Sequence, residues 1–249
     1  MHRLLFAAFG VLIFAAGGAH AATCPAFPPP VIKFTALPSD VERDTSKSAK
    51  DLAATRAAAK PLPSAYEAAL SASTARSVST LKQADGTVCA ALHEVDIKLG
   101  FQRKIYIAQE FAGDGCVADT IADFQTPLVK RDDETLAQFG AAIPTVYASE
   151  INAIGIATGT SQEDAQKPLL EKMSQLMKDK IFPAFSKQVS DADAKVDLPG
   201  QWKKEACNGA TDKAFASIDL KPSDISNNKI PAQQPARSGG YGGGGYGRN

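Results

Sequence analysis

The chain has 249 residues, with 27 Lys and Arg set against 27 Asp and Glu, and 44% of it is hydrophobic. That balance excludes the basic footprint of a nucleic-acid binder and the polybasic patch of a membrane-surface protein. Its length allows one sizeable core with a tail to spare.

Arg3, the apolar run Leu4 to Ala16 and the triplet Ala19-His20-Ala21 have the layout of a secretory signal with an A-x-A cleavage site. The expectation is a signal peptide over 1–21, followed by a single α+β domain over 22–207. The apolar run falls short of the roughly 20 residues that span a bilayer, so no transmembrane segment is expected after cleavage. Ala-Ala-Thr before Cys24 lacks the pattern of a lipidation box. A periplasmic or secreted protein follows from this reading.

Cys24, Cys89, Cys116 and Cys207 form an even set in a chain bound for an oxidising compartment, so two disulfides are expected. Three pairings are open to sequence. The expected one is Cys24 with Cys89 and Cys116 with Cys207. No two of the four stand at C-x2-C spacing, which argues against a zinc knuckle.

Val31 to Phe34 reads as a first short strand, and Thr35 to Ser48 as polar turn. Ser48 and Asp51 have capping-box spacing ahead of an Ala-rich helix that Lys60-Pro61-Leu62-Pro63 ends. Arg76 to Gln83 is a further strand, with a turn at Asp85-Gly86. In Leu92 to Phe101, Val95, Ile97, Leu99 and Phe101 alternate with Glu94, Asp96 and Lys98, giving one core face and one wet face. A tight hairpin at Gln102-Arg103 into Lys104 to Glu110 is expected, making a small antiparallel sheet.

Gly115 to Gly140 is the expected central helix, interrupted at Pro127, where Thr126 is a candidate new N-cap. A helix over Pro144 to Ala157 and a longer one from Ser161 complete a helical C-terminal half. Leu170, Met173, Met177, Ile181, Phe185 and Val189 form its core stripe. Asp197 to Cys207 suggests a last short helix docking Trp202. The segment 208–249, Gly/Tyr-rich from 239, has too little apolar surface to fold and is expected to be a structureless tail.

The strand Tyr106-Ile107-Ala108-Gln109-Glu110, the Gly115-Cys116 turn, Asp132 in the following helix and the Asp197-Leu198-Pro199-Gly200-Gln201-Trp202 segment ending at Cys207 occur in a suggestive order. Together they resemble exported bacterial zinc metallopeptidase-like proteins of unknown substrate, from about Val31 to Cys207. That resemblance implies a zincin-like layout with an HExxH helix. The window where HExxH belongs reads Phe124-Gln125-Thr126-Pro127-Leu128. Phe124 and Leu128 cannot ligate a metal, and Gln125 cannot take a proton as a general base. His2 and His20 lie in the signal, leaving His93 alone, so no His-pair zinc site is available.

Asp132 takes the place of the third ligand, and its plainer reading is a solvent-facing carboxylate in an acidic run with Asp133 and Glu134. Asp119, Asp123 and Asp132 make a poor calcium cage if they fan out from a helix. His93 reads as a structural histidine. No metal site, catalytic residue or cofactor is expected. The sequence thus points to a non-catalytic protein with a binding or structural role toward an envelope protein or cell-wall component. The alternative is a hydrolase with a relocated carboxylate site using Glu110, Asp114 and Asp132.

Overall fold

The computed structural model describes residues 23–196 and 206–221. The expected signal peptide, the expected helix around Trp202 and the Gly/Tyr-rich stretch lie outside the described residues.

One long hairpin carries the architecture. β3 (Ser64–Lys82) and β4 (Val88–Ile107) pair antiparallel along their whole length, and Gly86 takes the positive φ of 90° that their turn requires. On its other side β4 meets three short strands end to end. β5 (Ile156–Gly159) runs antiparallel to it, whereas β1 (Val31–Ala36) and β2 (Val41–Asp44) run parallel.

The fold is α+β, but the expected wholly antiparallel sheet is corrected by β1 and β2. Neither is joined to β4 by a hairpin; the chain first passes through α1 (Ala49–Thr55) and β3, and such a crossover permits the parallel sense. The turn expected at Gln102-Arg103 is absent as well. Alternation continues in phase through it, with Arg103 in an inward position between Phe101 and Ile105, and the strand runs on.

The helices follow local signals closely in places. α1 has the Ser48–Asp51 capping box, with Ser48 Oγ accepting from Asp51 N–H and Asp51 from Ser48 N–H. α2 (Gly115–Asp123) and α3 (Thr126–Val146) are separate helices, broken where Pro127 was expected to force a restart. Pro144 does not open a new helix: it lies inside α3, α4 (Ala148–Asn152) is only five residues long, and Ile156 to Gly159 is strand.

α5 (Gln162–Leu176) passes through a π turn (Met177–Ile181) into α6 (Phe182–Asp193). Its buried stripe starts at Ala165 and runs through Leu169, not Leu170, then takes Met173, Met177, Ile181, Phe185 and Val189 at a strict spacing of four. Such spacing drifts by about 40° per step on a helix of 3.6 residues per turn, and the wider π turn offsets part of that drift. Pro183 follows at once, and its missing N–H suits the first turn of α6. α7 (Ala210–Ser217) falls within the segment expected to be structureless. It is held because Phe215 and Leu220 are buried.

The inward side chains of β4 serve two apolar cores. Val95, Ile97, Leu99 and Phe101 pack with Leu136, Phe139 and Ile143 of α3 and with the α5–α6 stripe. Ile105 and Ile107 pack with Tyr66, Phe111, Ile121, Leu128 and Phe215. Each fully buried side chain of this size contributes about 1.5–3 kcal/mol.

Candidate functional site

The window singled out in the sequence lies at the break between α2 and α3, and it is filled with core. Asp114 caps α2, accepting from the N–H groups of Cys116 at 3.0 Å and Val117 at 3.2 Å. Phe124 closes that helix and stacks on Phe215, with ring centroids 6.3 Å apart and planes at 20°. Leu128 is buried one turn later. Gln125, not Thr126, stands at the N-cap position of α3 but gives it no side-chain bond. Its buried amide donates instead to Ser64 Oγ at 2.8 Å, and its Oε1 has no hydrogen-bond partner among the described residues.

Asp132 is the main correction to the sequence reading. Far from facing solvent, it is 0% exposed, one turn beyond Leu128 on the inner side of α3. It accepts a hydrogen bond from the Tyr66 hydroxyl and another from Arg131 Nη2 at 2.7 Å. Arg131 also pairs with Asp193 at the end of α6, and buried Arg103 donates to Asp133 at 2.6 Å while lying 5.0 Å from the Phe101 ring. These groups sit where β4 passes from one core to the other, forming a polar seam between them.

Three carboxylates, Asp132, Asp133 and Asp193, share two guanidiniums in this seam. Burial pushes the Asp132 carboxyl above its ordinary value, against the lowering effects of the Tyr66 hydrogen bond and the Arg131 charge. Burial, then the Asp132 charge, pushes the Tyr66 hydroxyl far up, so it remains the donor. The Nε atoms of Arg103 and Arg131 are buried without hydrogen-bond partners among the described residues. Asp132 and Arg103 are buried, whereas Asp133 is exposed at the outer end of the cluster. A buried carboxylate held in this way joins elements together and is poorly placed to exchange protons with a substrate.

The four cysteines form the pairs Cys24–Cys89 and Cys116–Cys207. The second ties the first turn of α2 to the turn before α7, so the Phe215 helix is fastened against the same window. Two disulfides fit maturation in an oxidising compartment. No described helix is long and apolar enough to cross a membrane.

The remaining carboxylates are engaged separately. Both oxygens of Glu110 accept from Ala49 N–H, at 3.1 and 3.0 Å, at the start of α1. Asp114 is the α2 cap, and Asp119 pairs with Arg43. The structure therefore does not join Glu110, Asp114 and Asp132 in one cleft, and among the described residues no three His, Cys, Asp or Glu form a group that could hold a metal.

His93 is exposed on β4, at the bulge where Ser77 opposes Glu94 and Val78 opposes Leu92. Its Nδ1 is 3.3 Å from Ser77 Oγ, a pairing invisible in the sequence, but it lies on the wet sheet face. A groove of about 600 Å³ runs between α3 and α6, lined by Lys130, Glu134, Gln138, Gln188, Asp191 and Lys195. Its charges are mixed, and Lys130 pairs with Glu134 within the groove itself.

No family model matches the chain, and neither the curated proteins nor the solved structures include a match to it. The residues that sequence reasoning missed are Tyr66, Arg103, Arg131 and Asp193. Only Arg103 had a visible signal: a charged residue at an inward position of an alternating strand.

Proposed function

We propose that this chain is an exported, non-catalytic protein of the cell envelope, with a binding or structural role toward another envelope protein or a cell-wall component. Its layout is similar to that of exported HExxH-type peptidase-like proteins, with the metal window converted into core. The observation that carries the reading is the fate of that window: Phe124 and Leu128 pack in the core beside Phe215, and Gln125 binds Ser64. The one carboxylate at a ligand position, Asp132, is committed to Tyr66 and Arg131. A relocated carboxylate site has less support, because Glu110 and Asp114 are engaged as helix caps.

The test is elemental analysis of protein purified from a periplasm without chelators or a histidine tag, combined with hydrolysis of a peptide library. The expected result is no stoichiometric transition metal and no cleavage above a mock preparation. One zinc per chain, together with cleavage abolished by a chelator, would overturn the proposal.

A further inference from the structure

β4 is paired on both sides, but β3 has β4 as its only strand partner among the described residues. In an antiparallel ladder, alternate residues turn both backbone groups toward the partner strand, and the others turn both away. Three contacts fix which are which. Pro63 C=O accepts from Ala108 N–H at 2.9 Å, so odd-numbered β3 residues face β4. Leu99 and Phe101, opposite Ala72 and Leu70, aim their carbonyls away from β3, to Leu37 N–H at 2.8 Å and Ser39 Oγ at 2.7 Å. Ala68, Leu70, Ala72, Thr74 and Arg76 consequently direct N–H and C=O outward.

This free edge has defined ends. At one end the outward carbonyl of Tyr66 is taken by the Arg56 guanidinium at 2.7 Å. At the other, the register breaks at Ser77/Val78. Between them, Ala68 to Arg76 contains no proline, no bulge and no charge except Arg76. That guanidinium is turned onto α5, toward Leu170 O at 3.4 Å and Ser174 Oγ at 3.3 Å. The usual protections of an edge strand, an outward lysine, a proline or a bulge, are missing along the run.

We propose that this edge is a homodimer interface, in which β3 pairs antiparallel with β3 of a second copy about a two-fold axis at Ala72. Ala72 is the midpoint of the free run and is exposed. With the axis there, Ala72 faces Ala72, Leu70 faces Thr74 and Ala68 faces Arg76, and every outward residue donates one bond and accepts one. On the wet face Ser71 meets Ser73, Ala69 meets Ala75 and Glu67 meets Ser77, so no like charges oppose. A foreign strand is disfavoured because strand addition draws specificity from pockets beside the edge. Small Ala, Ser and Thr side chains provide none here, whereas a two-fold axis needs none and satisfies the run from end to end.

The test is sedimentation equilibrium of the purified protein across the micromolar range, with Ala72→Lys, Ala72→Glu and their equimolar mixture. Directly opposed residues of a hydrogen-bonded pair have Cα atoms about 5.5 Å apart, so like charges at position 72 repel across the axis and opposite charges attract. The expected result is a dimer for the native chain, monomers with native circular dichroism for each variant, and a dimer again for the mixture. A native chain that is monomeric throughout, variants that remain dimeric, or a mixture that stays monomeric would each overturn the proposal.

Discussion

Tyr66 and Asp132 define the residue scale, because neither group can lose its partner to water without cost. Tyr66→Phe removes the hydroxyl that Asp132 accepts from and leaves a buried carboxylate one donor short. The expected loss is about 1–3 kcal/mol, read as a lower urea midpoint at unchanged slope. An unshifted midpoint would mean that this hydrogen bond adds nothing to folding. Asp132→Asn tests the charge itself. The folded carboxyl holds its proton more tightly than the unfolded one, whose ordinary value is 3.8. Its favourable contribution is therefore complete below about pH 4 and is lost as pH rises through the folded value. Asparagine does not titrate, so the stability difference should move in favour of the variant between about pH 4 and pH 7. Movement in the opposite direction would show that Tyr66 and Arg131 outweigh burial.

At the scale of elements, α7 is the piece whose attachment can be tested most directly. It is fastened by the Cys116–Cys207 disulfide and by Phe215, whose ring meets Phe111 at 5.5 Å and Phe124 at 6.3 Å. Replacing both cysteines by serine should cost about 2–4 kcal/mol and make the chain just ahead of α7 sensitive to limited proteolysis. Phe215→Ala should cost about 3–5 kcal/mol, since Phe111 and Phe124 lose the ring they both pack on. If both changes leave the protease pattern intact, other contacts hold the helix.

The helix was not foreseen because a short Ala-rich stretch beside a polar tail has little periodicity of its own; tertiary packing makes it a helix. The same limit explains β3. Its Ala-Ala-Leu-Ser-Ala-Ser-Thr-Ala run lacks strict alternation, because small residues can occupy the edge strand while its partner β4 carries the core. The legible elements were those in which local chemistry and tertiary role agree: Val95 to Phe101, the Ser48 capping box and the Pro127 restart. The seam stayed hidden for the opposite reason. Residues 66, 103, 131, 132 and 193 are far apart in sequence, and nothing local marks an Asp in an acidic run as buried.

For the whole molecule, the seam raises the question of why a chain would place charges between two good apolar cores. Buried ion pairs seldom add net stability, but removing one partner is costly. Arg131 is the member whose loss exposes the arrangement, because it faces both Asp132 on its own helix and Asp193 at the end of α6. Arg131→Met should cost about 3–5 kcal/mol by leaving two carboxylates without their cation. Adding Asp132→Asn and Asp193→Asn should recover most of that loss, since shape is kept and the stranded charge removed. Hydrogen exchange then separates stability from coupling. In the native chain the slowest amides of α2 and of α5 should exchange through one global opening, because β3 and β4 run through both cores. In Arg131→Met, α6 loses its ionic tie to α3, and the α5 and α6 amides should exchange by a lower-energy opening than those of α2. If all three helices weaken together, the hairpin alone couples the cores and the seam contributes only its electrostatic cost.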